Sequence, residues 1–191
     1  MTTKPIIFNA PMIRAILDGS KTQTRRVAKL TDAAHVKETR GHRRWHPADP
    51  EARLASPYGQ PGGQLWVRET WARDDEDGAL MYCADVGRGG NADDWEHNRL
   101  LGVPRYRWKP SIHMPRWASR ITLEITGVRV ERLKDISRGD AMSEGCPFPN
   151  MAKGDDPRKW FDNLWQSIYG AGSWDANPWV WVIEFKRVET K

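Results

Sequence analysis

Apolar residues at Ile6, Ile7 and Phe8 form a short β-type run, and behind it Met12, Ile13, Ile16 and Leu17 recur at helical spacing. Asn9 predicts an N-cap, Pro11 falls in the first turn and Gly19 marks the stop, so the chain opens β then α. Residues 24–27 start an extended segment. Residues 28–62 mix Pro, Gly, His and Arg with no sustained period and read as a long surface insertion. Residues 64–71 are β-prone enough for one strand, an acidic turn follows, and residues 80–84 predict the return strand of a hairpin. Residues 85–105 hold four glycines and a mixed-charge, helix-like stretch near 93–101, and read as a second insertion. Residues 106–120 combine three aromatics with two prolines, the pattern of an ordered loop that covers its rings.

Residues 120–133 give the longest strand signal: Ile121, Leu123 and Ile125 alternate with polar partners, and the pattern runs on through Val128 and Val130 past a bend at Gly127. Ser137 and Asp140 approximate a capping box for a short helix ending at Gly145. Pro157 opens a further helix whose Trp160, Phe161, Leu164, Trp165 and Ile168 share one apolar face, with Gly170 at its end. Residues 179–188 alternate as a terminal strand. Strands dispersed among short helices, without a βαβ rhythm, predict an α+β domain built on a small, mostly antiparallel β-barrel with short flanking helices. A length of 191 residues suits a single domain over 1–191 that carries the two insertions.

Composition narrows the class. Eleven tryptophans supply burial that a 39% apolar content would not, which excludes a wholly disordered chain. No apolar run is long enough to span a bilayer and the opening residues lack a signal-peptide pattern, so a soluble, cytoplasmic protein with no membrane partner is expected. Cys83 and Cys146 stand apart, and the five histidines show no paired ligand spacing, so no disulfide, no metal and no cofactor is expected. The net charge of +5 comes from the first third: residues 1–60 carry eleven basic and five acidic side chains, whereas 61–119 carry eight and nine, and 120–191 eleven of each. A basic first third fits an anionic partner such as RNA or a nucleotide, or a solvated basic face.

The densest chemistry is Lys21-Thr22-Gln23-Thr24-Arg25-Arg26, in a loop after a helix and a glycine. A lysine desolvated beside two arginines has its pKa lowered, and its neutral amine can take a proton from a nearby threonine hydroxyl. Lys21 and Thr24 are therefore a candidate base and nucleophile; a phosphate-binding loop is the other reading of the same residues. Serine-hydrolase, zincin, P-loop and Rossmann motifs are absent.

The run from Ile16 to Arg26, with Leu65-Trp66-Val67-Arg68-Glu69 and Val182-Ile183-Glu184-Phe185-Lys186, resembles the ASCH domain family, whose fold is a PUA-like β-barrel. The family's Gly-x-Lys loop with an arginine five residues after the lysine corresponds to Gly19, Lys21 and Arg26. Thr24 stands where many members carry an acid, as it does in the small bacterial members that hydrolyse N4-acetylcytidine; phage and prophage members resemble the overall pattern. The resemblance implies an N4-acylcytidine amidohydrolase acting on a nucleoside or base, with Lys21, Thr24 and Glu144 as catalytic residues. Thr24 is then the nucleophile, or the orienter of a water. Arg26, Arg68, Glu69 and Trp66 are the expected substrate-binding residues, with Trp71 and Trp108 as further candidates for stacking on a pyrimidine. An RNA or modified-nucleotide binding module, or a ribonuclease, using the same basic cleft is the alternative.

Overall fold

The computed structural model describes residues 3–28, 37–39, 42–44, 56–74, 77–86, 107–147 and 156–188. Most of both predicted insertions, including residues 93–101, lies outside them. Among the described residues the strands are β1 (Thr3–Ile7), β2 (Gln23–Val27), β3 (Lys37–Thr39), β4 (His42–Arg44), β5 (Gln64–Arg68), β6 (Trp71–Arg73), β7 (Leu80–Tyr82), β8 (Thr122–Arg132) and β9 (Trp179–Val188). The helices are α1 (Ala10–Leu17), α2 (Arg138–Ser143) and α3 (Pro157–Tyr169). No described helix is long and apolar enough to cross a membrane.

Capping fixes the helices. The Asn9 side chain accepts from the Met12 amide at the start of α1, and Ser137 and Asp140 form a full capping box on α2. Asp156 caps α3, which stops where Gly170 adopts a φ of 93°.

Five strands form one sheet in the order β1-β5-β8-β9-β2, with β1 parallel to β5 and the other neighbours antiparallel. The α+β class is as expected, but the expected barrel is not closed: among the described residues β1 and β2 are the two edges of the sheet. The chain entering β2 gives its amides elsewhere, Lys21 N to the Ala15 carbonyl of α1 at 2.8 Å and Thr22 N to the Ser143 carbonyl of α2 at 2.9 Å. A side chain spans the gap instead, for Arg26 of β2 donates to the Ile7 carbonyl of β1.

The curled sheet has two apolar faces. Phe8, Leu65, Val67, Leu123, Ile183 and Phe185 line the inner one, against Ile13 and Ile16 of α1. Val180 and Val182 on the outer one pack under Phe161 and Trp165 of α3. The bend in β8 is a register shift between Ile125 and Gly127, where a Cβ on Gly127 would come within 2.6 Å of a Glu184 carboxylate oxygen.

Two local readings change. The strand expected over 64–71 is two strands, because the buried Glu69 interrupts the ladder to meet Arg120; β6 rather than β5 pairs with β7. Residues 111–118 do form ordered turns, two single 3-10 turns that bury Met114 and Ala118, but Trp117 stays 65% exposed instead of covered.

Candidate functional site

The turn after α1 delivers Lys21. Gly19 takes a φ of 82°, the Asp18 carboxylate accepts from the Ser20 amide at 2.8 Å, and the chain then runs beside the end of α2. There Lys21 and Glu144 form an isolated antiparallel bridge. Gly145 permits the approach: its φ is 93°, and a Cβ there would stand 3.0 Å from Ala15 Cβ and 3.2 Å from Lys21 Cβ.

Lys21 Nζ donates to Glu144 Oε2 at 2.7 Å and to the Glu144 carbonyl at 2.9 Å, with both side chains almost wholly out of solvent. The other carboxylate oxygen, Oε1, accepts from Arg25 Nη1 at 3.1 Å. Arg25 in turn holds Glu131 through Nε at 3.1 Å and stands 3.5 Å from Asp140. Arg129 closes the network onto Glu131 at 3.0 Å, Asp140 at 2.7 Å and Glu184. Each buried charge is thus paired, as removal from water demands.

Burial pushes the Lys21 ammonium below its ordinary pKa; the pull of Glu144 opposes this, and the Arg26 and Arg25 guanidiniums add to it. Burial alone would raise Asp140, but the Ser137 hydroxyl and amide together with Arg25 and Arg129 hold it below the usual carboxylate range. A lysine that loses its proton readily, seated on a carboxylate that fixes its direction, is equipped for general acid–base chemistry.

Strand pairing orients the rest. Thr24 and Arg26 lie opposite Ile183 and Trp181, on the inner face, while Arg25 lies opposite Val182 on the outer one. The Phe8 ring stands 5.8 Å from Lys21 Nζ and 5.2 Å from the Arg26 guanidinium carbon, so Lys21 and Arg26 flank the same aromatic. Thr24 is buried and borders a crevice of about 10 Å³ with Arg26, Glu144 and the α3 side chains Trp165 and Tyr169, room for no more than about one water. A broader cleft of about 520 Å³ opens between Asp18, Ser20 and Thr22 on one wall and Met142, Ser143 and Cys146 on the other. Its wall residues lie within three positions of Lys21 or Glu144 in the chain, but neither of those two, nor Thr24, lines it.

The remaining expected site residues stand apart from this pair. Trp66 and Arg68 alternate with the buried Leu65 and Val67, which places them on the outer side of β5; Arg68 donates to the Ile112 carbonyl. Glu69 is clamped by Arg120 at 2.9 and 3.1 Å, and Arg120 also holds Asp85 at 2.7 Å and lies over the Tyr82 ring at 4.0 Å. Trp71 is buried against Met114. Arg25 was legible only as a neighbour that tunes Lys21, and Glu131, Arg129 and Phe8 escaped sequence reasoning. The available cue was the Arg129-x-Glu131 spacing, which puts opposite charges on one face of a strand.

Both cysteines are buried and not joined in a disulfide, and among the described residues no group of three His, Cys, Asp or Glu could hold a metal ion. No family model matches the chain, and no curated protein matches it. Among solved structures the chain is similar to an ASCH domain from Lactobacillus crispatus JV V101, with 14% sequence identity, a TM-score of 0.42, and coverage of 97% of this chain and 79% of that one.

Proposed function

We propose that the chain is an amidohydrolase that removes an acyl group from the exocyclic N4 amine of an N4-acylcytidine or N4-acylcytosine. The observation that carries the chemistry is the buried Lys21 amine, 2.7 Å from Glu144 Oε2 and held below its ordinary pKa. The resemblance of the 19–26 loop supplies the substrate class. In this reading the Thr24 hydroxyl attacks the amide carbonyl and its proton passes to the neutral Lys21 amine. The carbonyl–nitrogen bond then breaks as Lys21 returns that proton to the departing N4 amine, which leaves an acyl ester on Thr24. Water hydrolyses the ester, with Lys21 again accepting and returning the proton. Glu144 positions Lys21, and Arg26 faces the developing oxyanion with its fixed fork of donors.

The cleft between Ser20 and Thr22 on one wall and Met142 and Ser143 on the other has the volume of a small-molecule site. The test is the ultraviolet change on incubating the protein with N4-acetylcytidine. Cytidine formed by the natural sequence and not by Lys21→Ala supports the reading. Absence of turnover across N4-acetyl and bulkier N4-acyl substrates overturns it.

A further inference from the structure

Packing around the site leaves two buried donors over. Trp165 is 2% exposed, with its ring against Phe161 at 6.1 Å and Tyr169 at 4.2 Å between centroids. Its indole Nε1–H has no hydrogen-bond partner among the described residues. Arg26 donates through Nη2 to the Ile7 carbonyl, and its buried Nε–H likewise has no partner there. A buried donor without an acceptor carries a desolvation penalty that packing alone gives no reason to keep. Both side chains border the crevice of about 10 Å³ that Thr24 borders too. Glu144, the one acid among its lining residues, has its two carboxylate oxygens taken by Lys21 and Arg25. The crevice is therefore rich in unmet donors and calls for an acceptor, and its volume admits a single oxygen-sized atom rather than a ring or a phosphate.

We propose that Trp165 Nε1 and Arg26 Nε form a two-donor pocket for the acyl oxygen of the substrate, which makes Trp165 a catalytic residue. The identity of that oxygen rests on the hydrolysis proposed above, whereas the donor pair rests on the packing. As the Thr24 oxygen bonds to the acyl carbon and its proton passes to Lys21, the carbonyl π pair moves onto the acyl oxygen. That pair returns when the carbon–N4 bond breaks. Two N–H groups already fixed out of water meet the developing charge without reorganising. The stack of Tyr169 on Trp165 holds the indole plane, so the donor is set before the substrate arrives.

Two measurements on the full chain test this. In the first, Trp165→Phe, which keeps a ring against Phe161 and Tyr169, is compared with the natural sequence on N4-acetylcytidine. The variant's kcat falls by about 10²–10³-fold, as for one lost oxyanion donor, while KM changes little. In the second, the Trp165 indole N–H resonance, identified by its disappearance in Trp165→Phe, is followed as sodium acetate is added, beside sodium chloride at the same ionic strength. It moves with acetate and not with chloride, because a carboxylate oxygen enters the pocket. If the natural protein does not turn over N4-acetylcytidine, a shift with acetate keeps the pocket and removes the hydrolysis. Three results overturn the proposal: an unchanged kcat in Trp165→Phe, a lowered kcat with an indole resonance indifferent to acetate, or neither turnover nor a shift. The second of these would make Trp165 a packing residue only.

Discussion

Lys21 Nζ and Glu144 Oε2 meet at 2.7 Å across 123 residues of sequence, and Arg25 holds the other oxygen of the same carboxylate. The carboxylate is therefore shared: one oxygen directs the lysine while the other is tied into the charge network under α2. Such an arrangement fixes a proton carrier in place, and it also opposes the fall in the lysine pKa that burial brings.

The proton economy of the site can be read from pH profiles. With Lys21 as base, turnover of N4-acetylcytidine rises with pH along a limb whose midpoint lies below 10.5, the ordinary lysine value. Glu144→Gln removes the charge that raises the Lys21 pKa, so the limb moves to lower pH in that variant. A Glu144 that only braces the fold would lower kcat without moving the limb, and this outcome would remove it from the positioning role.

Gly145 makes a second, steric test. Alanine there must adopt a positive φ and press against Ala15 and Lys21 at 3.0 and 3.2 Å. Gly145→Ala should destabilise the fold by more than about 1 kcal/mol and reduce turnover further than the stability loss explains, since Lys21 is the group displaced. Urea midpoints beside kcat measure both effects. A variant with unchanged stability and turnover would mean that the α2 turn yields freely.

Periodicity and caps made most of the frame legible. Asn9, Ser137 with Asp140, and Pro157 marked helix starts that the structure keeps, and Gly127 marked the bend in β8. What failed was whatever depends on partners far along the chain. An isolated strand pattern over 64–71 cannot reveal that Glu69 leaves the ladder for Arg120, 51 residues on. Nor can it show that the amides before β2 go to α1 and α2, leaving the barrel open. At the site, Lys21 is legible from its cluster of basic and hydroxyl residues and Glu144 only through the resemblance, whereas the Arg25–Glu131–Arg129 network is legible through neither. Its members are scattered charges in sequence and become a partly buried unit only when β2, β8 and α2 are brought together.

The Glu69–Arg120 clamp predicts a pH-dependent stability difference. Burial pushes the Glu69 carboxyl above its ordinary range, with Arg120 pulling it back. A carboxyl raised in this way binds more protons in the folded than in the unfolded state over the interval between its two pKa values, so its contribution to stability weakens as pH rises through that interval. Arg120→Ala removes the counter-charge and widens the interval upward. The variant should lose about 3 kcal/mol at neutral pH, the low end for a broken buried pair because Arg120 is itself partly exposed. The deficit relative to the natural sequence should shrink on acidification as Glu69 takes up its proton. Urea midpoints compared at pH 7 and 5 check this, and a deficit that is constant or grows toward acid would refute it.

Trp165 separates ring burial from hydrogen bonding in the outer core. It is 2% exposed, packs against Phe161 at 6.1 Å and Tyr169 at 4.2 Å between ring centroids, and its buried indole nitrogen has no hydrogen-bond partner among the described residues. Trp165→Ala empties a large volume beneath α3 and should cost about 3–5 kcal/mol. Trp165→Phe keeps an aromatic ring against both neighbours and deletes the unpartnered N–H, whose desolvation costs about 1–3 kcal/mol in the natural protein. That gain offsets part of the lost volume, so the phenylalanine variant should stand much closer to the natural sequence than the alanine one, with the urea m-value unchanged in both. Equal losses for the two substitutions would show that the indole nitrogen is satisfied in solution, and that the full width of the tryptophan, rather than its aromatic contacts, holds α3 on the sheet.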